Sequence, residues 1–562
     1  MTSRYQTSPT IILFSLGLLI VLIAWTIPPS HAQGQIQVNA ADPPAAEQGT
    51  INLNVKVTGK GFKNGAQAKW FVTGTTNPGG VTVNSTTFVS NTELTANITV
   101  ADTATIANFD IQVLNADGRG GKGTELFAVT AKGNSANGCT VQPLPSGISL
   151  LSSFNYVTSG GEPAFGPSLG ISIKARSMTL NTSQLIVVGV GTSGGVGKLE
   201  IFLVDPDTGQ VLDGTVIGTG SIPQPHITVN YGAGARSLAV GDVNADGIPD
   251  FVAGSTATNS ANAVVGSVTN GVLNYESYLL PIPANASNVG WGVAMGDLNG
   301  DGSDVIAVGA TGMSPTGPGQ VSLFAFNGSG FNNILNITSP LPNKTKDEKF
   351  GFGVAIADVT GSNAKDLVVG APDSTISRAT GTGRAFVFPG PVSAGNYLTL
   401  SSNIKGDGLG RKLAAGLVNG DGFNDLLATS YESAKLYTGL VTSGQSPAIS
   451  LQPVSGLGTG WSTTEPDIAD VNGDLLGDVL IGAPNAANGS ICGGVAYLYL
   501  SSFGSPLSTR LTLTTPVLDT SVQVFGWATA FAPGTRLFFV TDHGLGVGSK
   551  AGAGQVYVFK VN

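Results

Sequence analysis

Apolar and polar residues alternate in short runs over the first part of the chain. Ile51, Leu53, Val55 and Val57 form one such run, and residues 94–100 form another. Alternation with a period of two predicts half-buried β-strands, because successive side chains of a strand point to opposite faces of its sheet. About seven runs of this kind between residues 33 and 132 predict a β-sandwich.

A different pattern begins near residue 155, where short runs are apolar at almost every position. Residues 251–254 and 367–370 are examples, and runs of this kind predict strands that are buried on both faces. Seven such strands recur at intervals of about 58 residues. The residues immediately before them are Gln184, Asp250, Asp304, Asp366, Asp425, Asp478 and Arg536. A repeat of that length fits four strands with their loops, so residues 155–562 are predicted to form a seven-bladed β-propeller.

The segment between the two domains, residues 133–154, is rich in Gly, Ser, Asn and Pro and predicts a linker. Its end becomes apolar between Ile148 and Val157. The last repeat has three recognisable strands, so this apolar stretch is the candidate for its fourth. Such a pairing would close the ring and remove an exposed sheet edge. The predicted fold class is therefore all-β, a β-sandwich followed by a propeller.

Residues 1–32 have the features of a secretory signal peptide. Arg4 precedes an apolar run from Ile11 to Ile27, and Ser30-His-Ala32 fits a cleavage site with small flanking residues. The run is long for a signal peptide, so an uncleaved N-terminal anchor stays open as the alternative. In both cases we expect the rest of the chain to be exported, either secreted or held at the cell surface.

Charged residues are scarce, and the net charge is negative. They make up 11% of the 562 residues, with a formal net charge of −9. No basic stripe is present that would bind phosphates, so nucleic acid is not expected as a partner. The 80 glycines are spread through the chain without a period of three, which excludes collagen and fits many tight turns between strands.

The chain has two cysteines, Cys139 and Cys492. Two cysteines do not make a disulfide framework. A bridge from the linker to the sixth repeat and a pair of unlinked thiols both fit the sequence.

Acidic loops precede five of the seven repeated strands. The first is Asp242-Val-Asn-Ala-Asp-Gly-Ile-Pro-Asp250, with carboxylate or amide groups at positions 1, 3, 5 and 9 and glycine at position 6. This spacing brings alternate side chains of a tight loop to one point, and the main-chain carbonyl at position 7 is a further oxygen donor. Such a set suits Ca²⁺ better than Mg²⁺, which requires a strict octahedron and keeps its waters. The alternative is an ordinary Asx turn that needs no ion.

The five loops are unequal. The first and fifth have all four side-chain ligands, although Leu475 replaces the glycine in the fifth. In the second loop Asp304 arrives one residue early, the third offers hydroxyl groups, and the fourth has Leu417 in place of the first aspartate. We expect about two to four structural Ca²⁺ ions. The candidate ligands are Asp242, Asn244, Asp246, Ile248 and Asp250; Asp297, Asn299, Asp301 and Asp304; Asp358, Thr360, Ser362 and Asp366; Asn419, Asp421 and Asp425; and Asp470, Asn472, Asp474, Leu476 and Asp478.

Three short motifs occur in a fixed order in these repeats. In one repeat they are Phe350-Gly351, then Leu367-Val-Val-Gly-Ala-Pro372, then Arg384-Ala-Phe-Val-Phe388. This set resembles the FG-GAP repeat of integrin α-subunit propellers, which secreted bacterial proteins also carry. The resemblance covers roughly residues 155–562. It implies Ca²⁺ in hairpin loops on one face of the propeller and ligand binding on the opposite face.

The N-terminal domain resembles bacterial immunoglobulin-like domains of the IPT/TIG type. The resemblance rests on Val57-Thr-Gly-Lys-Gly-Phe62, Val81-Thr-Val-Asn-Ser85 and Glu125-Leu-Phe-Ala-Val129. The Cys-Trp-Cys pattern of antibody domains is absent from the sequence. Two roles stay open for this domain, a partner-binding module and a spacer that holds the propeller away from the surface.

The sequence contains no motif typical of a catalytic site. His226 and His543 are isolated, and no HExxH, GxSxG or CxxCH motif occurs. The turn Asp205-Pro-Asp-Thr-Gly209 suggests a quinone-dependent propeller dehydrogenase, but it occurs once and is explained as a hairpin. A phospholipase of the kind that carries FG-GAP repeats would need a separate catalytic domain, which the sequence does not suggest.

We therefore predict a non-enzymatic adhesion or recognition module whose partner is an extracellular protein or glycan, with membrane contact only through an N-terminal anchor. Trp291, Trp461 and Trp527 occupy matching points near the inner strands, either as core residues or as a platform for stacking glycans. Two other classes stay open, a secreted glycan-directed hydrolase or lyase and a purely structural envelope protein. Acidic and aromatic residues converging in the central mouth would favour an enzyme.

Overall fold

The structure is a computed structural model, and the residues it describes are 36–48, 50, 53–101, 103–130, 141–154, 169–180, 183–192, 197–212, 227–232, 235–269, 272–313, 318–341, 348–362, 364–374, 381–453, 464–486, 493–517, 524–544 and 554–562. These ranges contain strands and turns and no α-helix, so the all-β class is confirmed for them. Among the same residues, no helix is long and apolar enough to cross a membrane. The predicted leader, Cys139, Cys492, His226 and Trp461 lie outside the described ranges.

Eight strands form the N-terminal domain. They are β1 (Gln37–Asp42), β2 (Ala45–Glu47), β3 (Leu53–Lys60), β4 (Gln67–Val72), β5 (Val81–Ser90), β6 (Glu93–Val100), β7 (Ala107–Leu114) and β8 (Gly120–Thr130). They make two sheets, with strand orders β1-β3-β6-β5 and β2-β8-β7-β4. Alternate residues of β6 are buried, as its period-two pattern requires, and Ile98 of one sheet and Phe109 of the other belong to a single apolar core.

Seven antiparallel sheets follow in the described part of the chain. Their strands are β9 (Ile148–Phe154), β10 (Leu169–Leu180), β11 (Ser183–Thr192), β12 (Gly197–Val204), β13 (Val211–Leu212), β14 (Ile227–Gly232), β15 (Ala235–Gly241), β16 (Asp250–Ser255), β17 (Ser260–Thr269), β18 (Val272–Leu279), β19 (Ala286–Gly296), β20 (Val305–Met313), β21 (Gln320–Phe326), β22 (Phe331–Thr338), β23 (Val354–Ala357), β24 (Asp366–Ala371), β25 (Arg384–Phe388), β26 (Leu398–Ser401), β27 (Leu413–Gly416), β28 (Asp425–Thr429), β29 (Ala434–Tyr437), β30 (Ile449–Leu451), β31 (Asp467–Ala469), β32 (Asp478–Ala483), β33 (Val495–Leu500), β34 (Thr509–Thr514), β35 (Phe525–Phe531), β36 (Leu537–Asp542) and β37 (Gln555–Val561).

In five of the seven sheets the strands follow one another in chain order; in the first sheet β13 and β14 both pair with β12, and the last sheet ends on β9. The first strands are β10, β15, β19, β23, β27, β31 and β35, and each contacts the first strand of the next sheet. Because β35 also contacts β10, the sheets form a closed ring around a central axis. This arrangement is that of a β-propeller.

The last sheet is completed by a strand from the other end of the ring. Its order is β35-β36-β37-β9, and β9 pairs antiparallel with β37, from Phe154 opposite Val556 to Ile148 opposite Val561. The outer edge of β37 is thereby covered, which leaves no unpaired long edge at this strand.

Glycines of the repeated motifs mark the places where neighbouring sheets touch. A Cβ atom on Gly370 would lie 1.8 Å from the carbonyl oxygen of Gly410 in the next sheet, and one on Gly482 would lie 1.8 Å from that of Gly526. Gly410 and Gly526 have φ angles of 94° and 81°, a region that side chains disfavour. The repeat therefore needs glycine at both positions for the sheets to pack this closely.

The N-terminal domain contacts the ring at its closing sheet. The carboxylate of Glu125 accepts hydrogen bonds from the Ser149 hydroxyl at 2.6 Å and the Asn562 side-chain amide at 2.8 Å. Glu125 has an unusual φ angle of 55°, and its main-chain N–H donates to the buried carboxylate of Asp110. The two domains are thus joined where β9 meets β37.

Candidate metal-binding loops

The five acidic loops occupy equivalent positions in five consecutive sheets, each joining the first strand to the second. They lie between β15 and β16, β19 and β20, β23 and β24, β27 and β28, and β31 and β32. Neighbouring loops touch: the N–H of Asp304 donates to the carbonyl of Asp242 at 2.8 Å, and that of Gly477 donates to the carbonyl of Leu417. The loops therefore lie on one face of the ring.

The first aspartate of a loop folds the chain around its carboxylate. Asp242 accepts hydrogen bonds from the N–H groups of Asp246 at 3.1 Å and Gly247 at 2.8 Å. Asp246 in turn accepts one from the N–H of Ile248 at 2.8 Å. A short carboxylate side chain bonds its own backbone a few residues on, which explains why aspartate rather than glutamate occupies these positions.

The same pattern recurs in two other loops. Asp297 accepts from the N–H groups of Gly300, Asp301 and Gly302, and Asp470 accepts from those of Gly473, Asp474 and Leu475. Position 6 has a left-handed backbone, with φ 81° at Gly247 and 91° at Gly302. In the fifth loop Leu475 adopts φ 69° at this position, with its side chain 82% exposed.

The aspartate at position 9 has a role that sequence reasoning missed. Asp250 is 1% exposed and accepts hydrogen bonds from the N–H groups of Val243 and Gly266, both at 2.7 Å. It therefore connects its own loop to the third strand of the sheet. Asp366, Asp425 and Asp478 make the equivalent pairs of bonds, to Val359 and Gly390, Val418 and Gly439, and Val471 and Ser501. The sequence did contain a signal for this role, because a carboxylate directly before a fully buried strand needs hydrogen-bond donors.

Burial makes these carboxylates costly to ionise. It raises the pKa of Asp250 to about 7, and the nearby charges of Asp242 and Asp246 add to the effect. Burial likewise raises the pKa of Asp478 to about 6, with contributions from Asp474 and Asp470. Burial is thus the main cause of both shifts and the neighbouring carboxylates add to it, so a divalent cation bound close by would lower both pKa values.

Among the described residues, no three His, Cys, Asp or Glu side chains converge on one point as a metal cluster. The reason is that the position 9 carboxylates face backbone N–H groups. The first loop also holds other oxygen atoms, in the side chain of Asn244 and the main chain of Ile248, so a cation there would depend on amide and carbonyl ligands as well as carboxylates.

One buried atom beside the first loop lacks a hydrogen-bond partner within the described part of the chain. It is the hydroxyl oxygen of Tyr275, on β18. The charges of Asp250 and Asp246 act on this side chain. An unsatisfied hydroxyl next to carboxylates is what a missing water or ion leaves behind, so the residues of the first loop fit a hydrated cation.

Asp304, the expected fourth ligand of the second loop, lies apart from the rest of its loop. Its carboxylate accepts a hydrogen bond from the N–H of Asp242 at 2.8 Å and lies 3.9 Å from the guanidinium of Arg176. The loop is one residue shorter than the first, which turns this side chain toward the preceding sheets. The second loop keeps Asp297, Asn299 and Asp301.

The third loop satisfies its buried carboxylate internally. Asp366 accepts from the Thr360 hydroxyl at 3.0 Å and from three main-chain N–H groups, and the Ser362 hydroxyl is shared between Asp366 at 3.2 Å and the Ala364 carbonyl at 2.9 Å. Asp358 accepts from Gly361 at 2.7 Å. The hydroxyls expected as weak ligands thus act as hydrogen-bond donors.

The fourth loop has Leu417 where the first aspartate stands in the others. Asn419 and Asp421 bond to each other, with the Asn419 amide donating to Asp421 at 2.9 Å. Burial raises the pKa of Asp425, to which the charge of Asp421 contributes. This loop therefore has fewer charged oxygens than the first and the fifth, where Asn472, Asp474 and Leu476 complete the set.

On the opposite face, aromatic and cationic side chains stack against each other. The rings of Trp291 and Phe352 are 4.7 Å apart and nearly parallel, and the Arg411 guanidinium lies 4.8 Å from the Phe352 ring and 4.2 Å from that of Tyr431. Trp527 contacts the edge of His543 and donates from Nε1 to the Ile171 carbonyl. Trp291 and Trp527 are both half-buried, and Trp527 packs against the apolar core between the first and last sheets.

An axial cavity of about 240 Å³ lies between the first strands. Four charged side chains line it, Lys174, Lys412, Glu465 and Asp467. Lys412 donates to Glu465 at 3.1 Å and to the Trp291 carbonyl at 2.9 Å. Asp467 accepts from the N–H of Phe531 at 2.9 Å. The cavity therefore has two carboxylates whose charges are balanced by two lysines.

Comparison with known proteins gives partial matches. No family model matches the chain. It is 33% identical to bovine phosphatidylinositol-glycan-specific phospholipase D over 166 residues, which are 27% of this chain and 20% of that protein. It is 30% identical to Drosophila integrin alpha-PS2 over 181 residues, 30% of this chain and 12% of the integrin, and 33% identical to chicken integrin alpha-V over 102 residues, 17% and 9%.

The chain thus spans a fifth or less of the length of these curated relatives. Among solved structures, the Dos1 propeller matches with a TM-score of 0.37 and 10% identity, covering 74% of this chain and 95% of that one.

Proposed function

We propose that this protein is an exported recognition module, a seven-bladed propeller of the FG-GAP type joined to an immunoglobulin-like domain, with structural Ca²⁺ in its acidic loops. The observation that carries the proposal is the recurrence of one hydrogen-bonded loop on one face of five consecutive sheets. Stretches of about 30% identity to two integrin α-subunits support it.

The first and fifth loops are the strongest candidates for Ca²⁺. Each combines a half-buried carboxylate at position 1 and an exposed one at position 5 with the amide oxygen at position 3 and a buried carboxylate whose pKa is raised by burial. The second loop, with Asp297, Asn299 and Asp301, comes next. The fourth has fewer charges, and the hydroxyls of the third already satisfy Asp366. Two to three ions therefore fit best within the expected range.

The role of bound Ca²⁺ is structural. Extracellular Ca²⁺ sites bind with dissociation constants of about 10⁻⁴ to 10⁻³ M, so each would add about 0.4–1.4 kcal/mol to the free energy of unfolding at millimolar Ca²⁺. The loop carboxylates accept hydrogen bonds from the main-chain N–H groups and so hold the loop in shape. The ion compensates the remaining negative charge.

The recognition surface is the face opposite the loops, and its partner is an extracellular protein or glycan. This face is built on the packed aromatic residues around Trp291 and Phe352, which supply a rigid base for the connecting loops. We place the protein in the extracytoplasmic space, secreted or held at the surface by an N-terminal anchor. The phospholipase and integrin relatives support an extracytoplasmic location.

A thermal unfolding experiment tests the metal proposal. The melting temperature of the full chain is measured with EDTA and after adding millimolar Ca²⁺ or Mg²⁺. We expect a Ca²⁺-selective rise of about 2–5 °C that is lost in the Asp242→Ala/Asp470→Ala double variant. Asp205→Ala is the matched control, because Asp205 forms an ordinary Asx turn with Asp207 and Thr208. An equal response to Ca²⁺ in wild type and double variant would refute the assignment.

The recognition proposal is tested by probing arrays of purified extracellular matrix proteins and of glycans with the full chain, in Ca²⁺ and in EDTA. Ca²⁺-dependent retention on one class of probe is expected. No retention on any probe in either condition contradicts an adhesive role.

An enzyme is the second candidate, favoured by the carboxylates of Glu465 and Asp467 in the axial cavity and by the phospholipase D relative. Incubating glycan probes with the chain and analysing the products by mass spectrometry separates the two. Cleavage that disappears in Glu465→Gln/Asp467→Asn would establish the enzyme.

A further inference from the structure

Tyr275 lies beside the first acidic loop, although it is 25 residues further along the chain than Asp250. It belongs to β18, the outermost strand of the second sheet of the ring, and pairs with Gly266 of β17. Its ring packs at a tilt against Phe251, with 6.1 Å between the ring centroids. The side chain therefore reaches back over the third strand toward the loop.

Gly266 provides the space for this side chain. A Cβ atom on Gly266 would lie 2.9 Å from a ring carbon of Tyr275 and 2.6 Å from the side chain of Ile248. The N–H of the same glycine donates to Asp250 at 2.7 Å. Because Gly266 has no side chain, the Tyr275 ring can lie next to Asp250, the residue that connects the loop to the third strand.

The Tyr275 hydroxyl is fully buried and has no hydrogen-bond partner among the described residues. Burial and the charges of Asp250 and Asp246 raise the pKa of Tyr275, so the hydroxyl keeps its proton and is available as a donor. It does not reach either carboxylate directly. Asp250 is buried and Asp246 is exposed, and a buried donor separated from such acceptors by a gap is a usual setting of an ordered water.

We propose that the Tyr275 hydroxyl holds a water molecule against Asp250 and Asp246, and that this water fills one ligand position of the cation bound by the first loop. The inference rests on the proposed Ca²⁺ function. Ca²⁺ sites commonly include waters, and residues that orient ligands from the outer shell tune affinity. Tyr275 is then a positioning residue, and it makes the first loop the tightest of the five.

The fifth loop has no such arrangement. Ser501 stands where Gly266 stands in the first, and its hydroxyl donates to the Gly477 carbonyl at 2.9 Å. The hydroxyl of Tyr499, on the third strand of that sheet, donates to the Gln452 carbonyl at 3.3 Å. The fifth loop is therefore an internal reference for the first.

The test uses Tb³⁺, which replaces Ca²⁺ and emits when a nearby tyrosine transfers its excitation. Full-length wild type, Tyr275→Phe and the matched control Tyr499→Phe are titrated with Tb³⁺, with tyrosine-excited emission and calorimetric affinity as two readouts. We expect Tyr275→Phe to lose most of the tyrosine-sensitised emission and to bind about tenfold more weakly at one site. Tyr499→Phe should match wild type in both.

Unchanged emission and affinity in Tyr275→Phe would overturn the inference while leaving the metal sites intact, provided that Asp242→Ala lowers the number of bound ions by one. A wild-type chain that binds no Tb³⁺ and no Ca²⁺ would instead overturn the proposed metal function, and the role of Tyr275 with it. Asp470→Ala should remove the fifth site and leave the tyrosine-sensitised signal in place.

Discussion

The first and third acidic loops use the same frame and differ in how they compensate one buried charge. In the first, Asp250 accepts two main-chain N–H groups and lies near two other carboxylates, and burial raises its pKa to about 7. In the third, Asp366 accepts three main-chain N–H groups and the hydroxyls of Thr360 and Ser362.

The difference shows that position 9 and positions 3 and 5 have separate tasks. The aspartate at position 9 joins loop to strand in both cases, whatever the ion content. The side chains at positions 3 and 5 determine how the charge of the position 9 carboxylate is compensated. Hydroxyl groups at these positions donate hydrogen bonds to it, whereas amide and carboxylate groups leave the charge for a cation to compensate. A loop can therefore keep the shape of the repeat without keeping a metal site.

The largest expected effect comes from converting the third loop into the first. Thr360→Asn with Ser362→Asp removes two hydroxyl donors from Asp366 and adds a carboxylate beside it. In EDTA we expect the free energy of unfolding to fall by about 2 kcal/mol, since each lost hydrogen bond contributes about 1 kcal/mol. Millimolar Ca²⁺ should restore most of this loss, as measured by urea denaturation.

The control for this exchange is Thr360→Val with Ser362→Ala. It removes the same donors without supplying metal ligands, so its loss of stability should not respond to Ca²⁺. A converted loop as stable in EDTA as wild type would show that the hydroxyls do not compensate Asp366.

A second effect is expected from pH. The folded-state pKa of Asp250, raised to about 7 by burial, lies well above the value of about 3.9 for an unfolded aspartate. The folded chain thus binds more protons between these values, so without Ca²⁺ its stability declines as pH rises from about 4 to about 7. We expect this decline in EDTA, and urea denaturation at several pH values measures it.

Asp250→Asn should flatten this profile, because the amide cannot titrate, and saturating Ca²⁺ should flatten it in wild type. His543 acts in the opposite sense, since burial lowers its pKa and stability is lost as pH falls through about 6.5. That contribution is common to both proteins, so their difference isolates Asp250. Parallel profiles in EDTA would contradict the assignment.

The smallest effect concerns the backbone at position 6. Leu475 of the fifth loop adopts the left-handed conformation that Gly247 adopts in the first. Leu475→Gly should stabilise the chain by about 0.5–1 kcal/mol, because glycine relieves the strain that a side chain has at this φ angle. The reciprocal Gly247→Leu should destabilise it by a similar or larger amount. Thermal unfolding in Ca²⁺ measures both, and a stabilising Gly247→Leu would contradict the argument.

Local patterns in the sequence predicted the strands and loops well. The all-β class followed from apolar periodicity, and the place of the five loops followed from aspartate and glycine spacing. Motif glycines such as Gly370 were recognisable, although their contact with the next sheet was not.

Contacts between distant segments were beyond these patterns. Asp304 looked like a ligand of its own loop, yet its carboxylate lies against Asp242 and Arg176, which belong to other sheets. Tyr275 carried no motif, because its relation to Asp250 depends on the open space above Gly266 in the neighbouring strand. The spacing of residues in the sequence predicts which side chains of one loop lie together. The positions of Asp304 and Tyr275 depend instead on how strands and sheets pack against each other.

The pairing of β9 with β37 sets an order of events during synthesis. In the closing sheet, Ser149 and Asn562 are hydrogen-bonded across a separation of 413 residues. The loop-closure entropy of this contact is among the largest in the chain, and contacts of such range slow folding. While the chain is being translated, β9 emerges early and must wait, unpaired, until β37 arrives. The ring therefore closes last, and a chaperone that shields β9 during this interval would protect the protein from aggregation.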